Sequence, residues 1–238
     1  MKHQIKVLKT GDGWIGIEKP CGISVHNDPG KDVLSIVTSM ARRGDIDLQG
    51  ACAKEKIRIL PVHRLDKDVS GVLLLAFTPD TLRKLGVYFH QGLVQKKYLA
   101  LVHGNFDESE PGLKAWNFPL SKNAGGRKNP AGNGKKVKAT TRFTLLRQSP
   151  HYTLLEILLI TGRKHQIRRH AKLDGHPVTG DRRYGSKKSI AFLKNNCGYN
   201  RLGLHAKRLE IPDMAPPVLL DSEKIPPEME MLLNQDRP

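Results

Sequence analysis

The chain has 238 residues, and 40 Lys and Arg against 23 Asp and Glu give a formal charge of +17 at pH 7 with the 10 His neutral. That length holds one large domain or two small ones, and it buries a core without staples. No apolar run approaches the ~18 residues of a membrane span, and Met1-Lys2-His3-Gln4 runs into Ile5-Lys6-Val7-Leu8 with no apolar signal segment.

Ile5 to Leu8 and Trp14 to Glu18 read as two short strands around the turn Gly11-Asp12-Gly13. From Asp32 to Arg43, Leu34, Ile36, Val37, Met40 and Ala41 recur at helical spacing, and Gly44 is a stop. Residues 45–58 are polar and give no clear pattern. The continuous apolar run from Gly71 to Phe77 predicts a buried central strand. Thr78-Pro79 then reads as an N-cap with proline in the first turn; Leu82, Leu85 and Phe89 share one helix face, and Gly92 closes it. Lys97 to Val102 alternates, with Tyr98, Ala100 and Val102 on one face of a strand.

Residues 121–138 form a Gly-, Asn- and Lys/Arg-rich loop that lacks the G-x-x-x-x-G-K-[ST] phosphate pattern. It is expected to be a basic flexible flap against a phosphate backbone or a solvated hairpin tip. Ala139 to Leu146 and Tyr152 to Ile160 read as a hairpin. Arg163 to Asp174 reads as a strongly basic helix, stopped by Gly175-His176-Pro177. Ser186 to Asn196 reads as a short helix and Leu202 to Ile211 as a late strand, after which Pro216-Pro217 and Pro226-Pro227 break up the tail. With no repeat and no linker, residues 1–238 read as a single mixed domain.

The positive charge favours a polyanionic partner, nucleic acid before a membrane surface. Cys21, Cys52 and Cys197 are few, odd in number and far apart. That argues against a disulfide framework and a zinc cluster, and for free, buried thiols in a reducing cytoplasm.

Three segments carry candidate chemistry. In Pro61-Val62-His63-Arg64-Leu65-Asp66-Lys67-Asp68-Val69-Ser70-Gly71, ionisable groups crowd the mouth of the buried strand, where a rigid element can fix them. In a cleft, Arg64 near Asp66 would keep the carboxylate anionic, fit to act as nucleophile or base. A surface turn with a satisfied ion pair is the plainer reading. In Gly162-Arg163-Lys164-His165-Gln166-Ile167-Arg168-Arg169-His170, a helix would align His165, Arg168 and Lys172 on one cationic face. Such a face clamps phosphate or carboxylate, or is merely solvated; the HExxH zinc pattern is not met. In Lys96-Lys97-Tyr98, the tyrosine alternates with apolar neighbours, as core tyrosines also do.

Taken together and in order, these segments resemble one family. HRLDKDVSGVLLLA, KKYLALVHG and TGRKHQIRRHAKLDGHPVTGDRRYG are similar to the signature segments of pseudouridine synthases of the RluA type. IGIEKPCGISVH resembles that family's opening and LHAKRLEI its closing strand, so the likeness spans about residues 5 to 230. Val69 stands where the family usually has Thr, and Glu18 where it has Asn. The resemblance implies an α+β fold with a central mixed, mostly antiparallel sheet flanked by helices, and a catalytic domain without a preceding S4 RNA-binding domain. It implies isomerisation of uridine in ribosomal or transfer RNA, in the cytoplasm, with no cofactor, no metal, no membrane and no obligatory protein partner. Asp66 matches the family's essential carboxylate, Tyr98 its active-site tyrosine and Arg168 the basic residue paired with that carboxylate. His63, Arg64, Arg163, Lys164, His165, Gln166 and Arg169 are expected to contact RNA. The target uracil would have to be flipped from its stack. A non-catalytic RNA-binding or ribosome-assembly factor on the same fold is the alternative. A hydrolase using Asp66 with His63 or His165 lacks the G-x-S-x-G elbow.

Overall fold

Local signals set the element boundaries. The computed structural model describes residues 5–48, 57–107, 109 and 112–238. In chain order the elements are β1 (Lys6–Gly11), β2 (Trp14–Lys19), α1 (Val33–Arg43), β3 (Leu60–Pro61), β4 (Ser70–Ala76), α2 (Pro79–Gln91) and β5 (Gln95–His103). There follow β6 (Lys114–Trp116), β7 (Leu120–Ser121), β8 (Lys136–Val137), β9 (Thr141–Gln148), β10 (Tyr152–Leu159), α3 (Gln166–Leu173), α4 (Lys187–Cys197), β11 (Leu204–Ile211), β12 (Val218–Asp221) and α5 (Pro227–Gln235). Asp32 caps α1 by accepting the Ser35 N–H at 2.8 Å, and Thr78 caps α2 by accepting the Thr81 N–H at 3.2 Å. Both helices end on a left-handed glycine, Gly44 and Gly92.

The chain folds as two compact units: Met1–Gln95 with Ala206–Glu223, and Lys96–His205 with Lys224–Pro238. In the first, the strands run β1-β2-β4-β11, with β3 on β4 and β12 on β11. β4 is buried at every residue, as its unbroken apolar run predicts. Its register with β2 runs from Trp14 opposite Ala76 to Lys19 opposite Gly71. Leu85 of α2 packs with Trp14, Val72, Leu74, Leu209, Ile211, Val218 and Leu220 into one core. Gly71 has φ 107°, and a Cβ there would lie 2.2 Å from the Ala206 carbonyl oxygen, so the second residue of β4 can only be glycine.

In the second unit the order is β5-β10-β9-β6, all antiparallel, and β7 and β8 form a separate two-stranded ribbon. Leu99 and Leu101 of β5 bury against Tyr152 and Leu154 of β10, Leu193 of α4 and Met229, Leu232 and Leu233 of α5. β5 is therefore buried on both faces, where alternation suggests one. All strand pairs of described register are antiparallel, in keeping with an α+β fold.

The tail carries β12 and α5 where the proline pairs suggest only breaks. Pro226 and Pro227 sit at the start of α5, where a missing N–H costs nothing. The basic helix is shorter than expected: α3 starts at Gln166, and His165 precedes it in the left-handed region at φ 54°. Six of its eight residues, Gln166 to Ala171, are buried, so it is not a solvated cationic face. Cys21 and Cys197 are free thiols and half-buried rather than buried, and Cys52 lies outside the described residues.

The 121–138 loop, read as a flexible flap or a solvated hairpin tip, is laced down by three arginines. Arg169 donates to the carbonyls of Ser121, Pro130 and Ala131. Arg183 donates to those of Ala124 and Gly125, and Arg127 reaches back to those of Arg182 and Gly185.

Candidate active site

Asp66 lies in the first unit, in the loop between β3 and β4, half-buried, with Arg64 exposed beside it. The loop is fixed from below. Lys19, fully buried at the end of β2, donates from Nζ to the carbonyls of Pro20 at 2.8 Å, Ile23 at 2.7 Å and Lys67 at 2.9 Å. The Lys67 carbonyl also accepts the Gly22 N–H at 3.0 Å, and the Asp68 carbonyl accepts the Cys21 thiol at 3.1 Å. Thus both residues that follow Asp66 are tied to the 20–23 turn. Within the loop, the Val69 N–H closes on the Asp66 carbonyl at 3.1 Å, and the Val69 side chain is buried. The position where the family usually carries a hydroxyl is here an apolar plug.

His63 has a structural duty: its Nε2 accepts the Leu74 N–H at 3.0 Å, and its ring stacks on Phe89 with centroids 5.0 Å apart. The imidazole thus serves β4 just past the point where β3 ends, and with Nε2 as acceptor the ring proton sits on Nδ1.

In the second unit, Tyr98 is buried in β5, opposite Ile157 of β10. Lys96 lies two residues earlier on the same face, and burial holds its ammonium below the ordinary lysine range.

Arg168 and Asp181 form a buried bidentate pair, Nε to Oδ2 at 2.7 Å and Nη2 to Oδ1 at 2.9 Å. Two-point pairing fixes the guanidinium plane as well as its position. His165 Nδ1 lies 2.9 Å from the Tyr184 hydroxyl, and Arg163 and Lys164 are exposed at the head of α3.

Gln166 and Arg169, expected to contact RNA, face inward instead. Gln166 is 3% exposed; its Oε1 accepts from the Thr161 hydroxyl and the Arg163 N–H, and its Nε2 donates to the Thr140 carbonyl and the Thr141 hydroxyl. That is the full capacity of a carboxamide. Arg169 is fully buried, and its four bonds go to carbonyls: Pro130 at 2.6 Å, Ala131 at 2.6 Å, Ser121 at 3.1 Å and Lys164 at 3.2 Å. A cation at a helical position looks solvent-directed in a sequence; four carbonyls gathered by the fold turn this one into a core donor.

His170 is also internal. Its Nε2 lies 2.9 Å from the Phe118 carbonyl and its Nδ1 3.0 Å from the Thr141 hydroxyl, and burial pushes its pKa down to about 4.

Sequence reasoning passed over Lys19 and Asp181. Both lie inside the segments IGIEKPCG and TGDRRYG, but nothing in a sequence says that an exposed-type residue will be buried and paired. Among the described residues, no group of three or more His, Cys, Asp or Glu is placed to hold a metal ion. No helix among them is long and apolar enough to cross a membrane.

The RNA pseudouridylate synthase family model matches residues 13–173. The chain is 37% identical over 206 residues to the ribosomal large subunit pseudouridine synthase C of Vibrio vulnificus, covering 85% of this chain and 60% of that protein. It is 32% identical over 225 residues to the tRNA pseudouridine synthase C of Haemophilus ducreyi, covering 87% of this chain and 84% of that one. The chain therefore spans about 60% of the length of the ribosomal relatives it matches. Among solved structures, Human RNA Pseudouridylate Synthase Domain Containing 4 superposes with a TM-score of 0.73 at 24% identity, over 96% of this chain and 92% of that one, a likeness of fold. Matched over residues 13–173, which include Asp66, Tyr98 and Arg168, the chain belongs to the RNA pseudouridylate synthase family.

Proposed function

We propose that this chain isomerises uridine to pseudouridine within structured ribosomal or transfer RNA, in the cytoplasm, as one catalytic domain. The observation that carries the reading is the Asp66 loop: a carboxylate on a short turn whose next two residues are bonded to the 20–23 turn, in a chain of this family. A catalytic group held on a rigid support needs no reorganisation during the reaction.

In the reaction the C1′–N1 bond breaks, the uracil turns, C5 bonds to C1′, the C5 proton leaves and N1 gains one. Asp66 supplies the carboxylate that acts on the ribose or the base. Tyr98 packs against the flipped ring and assists loss of the C5 proton. Arg168 supplies a fixed cation to the reacting nucleotide. Arg64, Arg163 and Lys164, all exposed, contact phosphate. The charge of +17 supplies backbone affinity that falls with salt.

The test is tritium release from ribosomal and transfer RNA transcripts carrying 5-tritiated uridine, comparing wild type with Asp66→Asn. Release by wild type alone supports the reading, and equal release by both removes Asp66 from its role. No release from any RNA, with tight salt-sensitive binding, points to a non-catalytic binding protein.

A further inference from the structure

We propose that Asp181 is a positioning residue for Arg168: it sets the direction in which the guanidinium faces the reacting nucleotide. The proposal rests on the reading above, in which Arg168 belongs to the catalytic set.

The Arg168 and Asp181 side chains are 8% and 0% exposed. A buried ion pair adds little net stability, because desolvation offsets the attraction. What a bidentate pair does supply is geometry, since both Nε and Nη2 are committed at 2.7 and 2.9 Å. The Nη1 group lies outside this pair, and its direction follows from the plane that Asp181 fixes.

Asp181 is itself held. Its Oδ1 also accepts the N–H groups of Arg183 and Tyr184, each at 2.9 Å, so the carboxylate is locked by its own turn. Gly180 before it has φ 66°, and a Cβ there would come 1.9 Å from the Arg201 carbonyl oxygen, which fixes where the turn begins. The Tyr184 ring lies 5.3 Å from the Arg168 guanidinium carbon, and its hydroxyl meets His165. The guanidinium is therefore held at its edge by Asp181 and bounded by the ring of Tyr184. The same turn carries Arg183, whose side chain bonds the 121–138 loop.

The informative variant is Asp181→Asn. Its Oδ1 still accepts the two backbone N–H groups, so the turn persists. Its amide nitrogen meets the Arg168 donors as another donor, so the two-point pair is lost. The measurements are single-turnover tritium release, equilibrium RNA binding and thermal melting. The expected result is a rate lower by on the order of a hundredfold with RNA affinity unchanged. Combining the change with Arg168→Lys should give a rate no worse than the poorer single variant, as for residues acting through one another. A wild-type rate in Asp181→Asn, or losses that multiply in the double variant, overturns the proposal while leaving the isomerase reading intact. If Asp181→Asn fails to fold, Asp181→Glu keeps the charge and displaces the guanidinium by a methylene, and a wild-type rate there overturns it equally. Absence of release by wild type defeats the isomerase reading itself, and this proposal with it.

Discussion

Acid should loosen the second unit through His170. The ring has no exposed surface. The network around it has one self-consistent set of protons. Gln166 Nε2 donates to the Thr141 hydroxyl at 2.9 Å, that hydroxyl donates to His170 Nδ1 at 3.0 Å, and His170 Nε2 donates to the Phe118 carbonyl at 2.9 Å. A second ring proton on Nδ1 would face a hydroxyl whose own proton already points at it. Burial first, and the neighbouring Arg169 charge after it, lower the pKa from 6.5 to about 4, against the opposing pull of the Phe118 carbonyl and Asp174. The unfolded chain therefore binds the proton that the folded chain refuses. The stabilisation is complete above pH ~6.5 and is lost as pH falls from there towards ~4. At ~1.4 kcal/mol for each pH unit between those two values, the whole loss is about 3 kcal/mol, of which about 2 kcal/mol has gone by pH ~5. The assay is urea unfolding at pH ~7.5 and ~5, followed by Trp116, whose ring centroid is 6.4 Å from that of His170. A Trp14→Phe background removes the other tryptophan. His170→Gln keeps a donor and an acceptor but cannot charge. Wild type should lose about 2 kcal/mol more than His170→Gln between the two pH values. Equal losses would refute the reasoning, since every other titrating group is common to both proteins.

Three further outcomes concern Lys19, Arg169 and the exposed lysines of the basic loop. Lys19→Met strands the carbonyls of Pro20 and Ile23, leaves that of Lys67 with the Gly22 N–H alone, and should cost about 3 kcal/mol, lowering tritium release more than RNA binding because it loosens the loop after Asp66; a variant that melts and reacts like wild type would contradict this. Arg169→Met removes four donors to buried carbonyls, so trypsin should cut faster at Lys122, Arg127 and Lys128, with stability lower by about 3 kcal/mol; unchanged cleavage would mean that the loop is held by other bonds. Neutralising the exposed Lys128, Lys135 and Lys136 together should reduce the slope of log affinity against log salt by up to ~0.7 to 0.9 for each phosphate that these lysines neutralise; an unchanged slope in filter binding would move the RNA elsewhere.

The elements that were legible in the sequence are those with local causes. Thr78-Pro79 and Gly92 bracket α2, and Asp32 and Gly44 bracket α1, because caps act over three or four residues. β4 was legible because an unbroken apolar run has only one place to go. β3, β6 and β12 were not, since two to four residues carry no period and their pairing is set by a distant partner. α5 was hidden for a different reason: proline reads as a breaker, yet at the first turn it removes only an N–H that no carbonyl awaits. Among the candidate residues, Asp66, Tyr98 and Arg168 stand out through the order of three segments, not through any one of them.

What the sequence conceals is the destination of its cations. Gly162 to His170 presents Arg163, Lys164, Arg168 and Arg169 as one positive block, and a charge count assigns all four to RNA. The fold divides them. Arg163 and Lys164 stay exposed, Arg168 is paired with and oriented by Asp181, and Arg169 is spent on carbonyls of its own chain. The division follows from chemistry. Guanidinium carries five donors in a rigid fork and is more weakly hydrated than ammonium, so arginine can be buried where several acceptors converge. Lys19 does the same only because three carbonyls of one tight turn and its neighbouring loop match the three protons of its ammonium. The net charge of +17 therefore overstates the positive charge that the fold leaves exposed. Lys19 and Arg169 act through what they hold in place, the loop after Asp66 and the basic 121–138 loop.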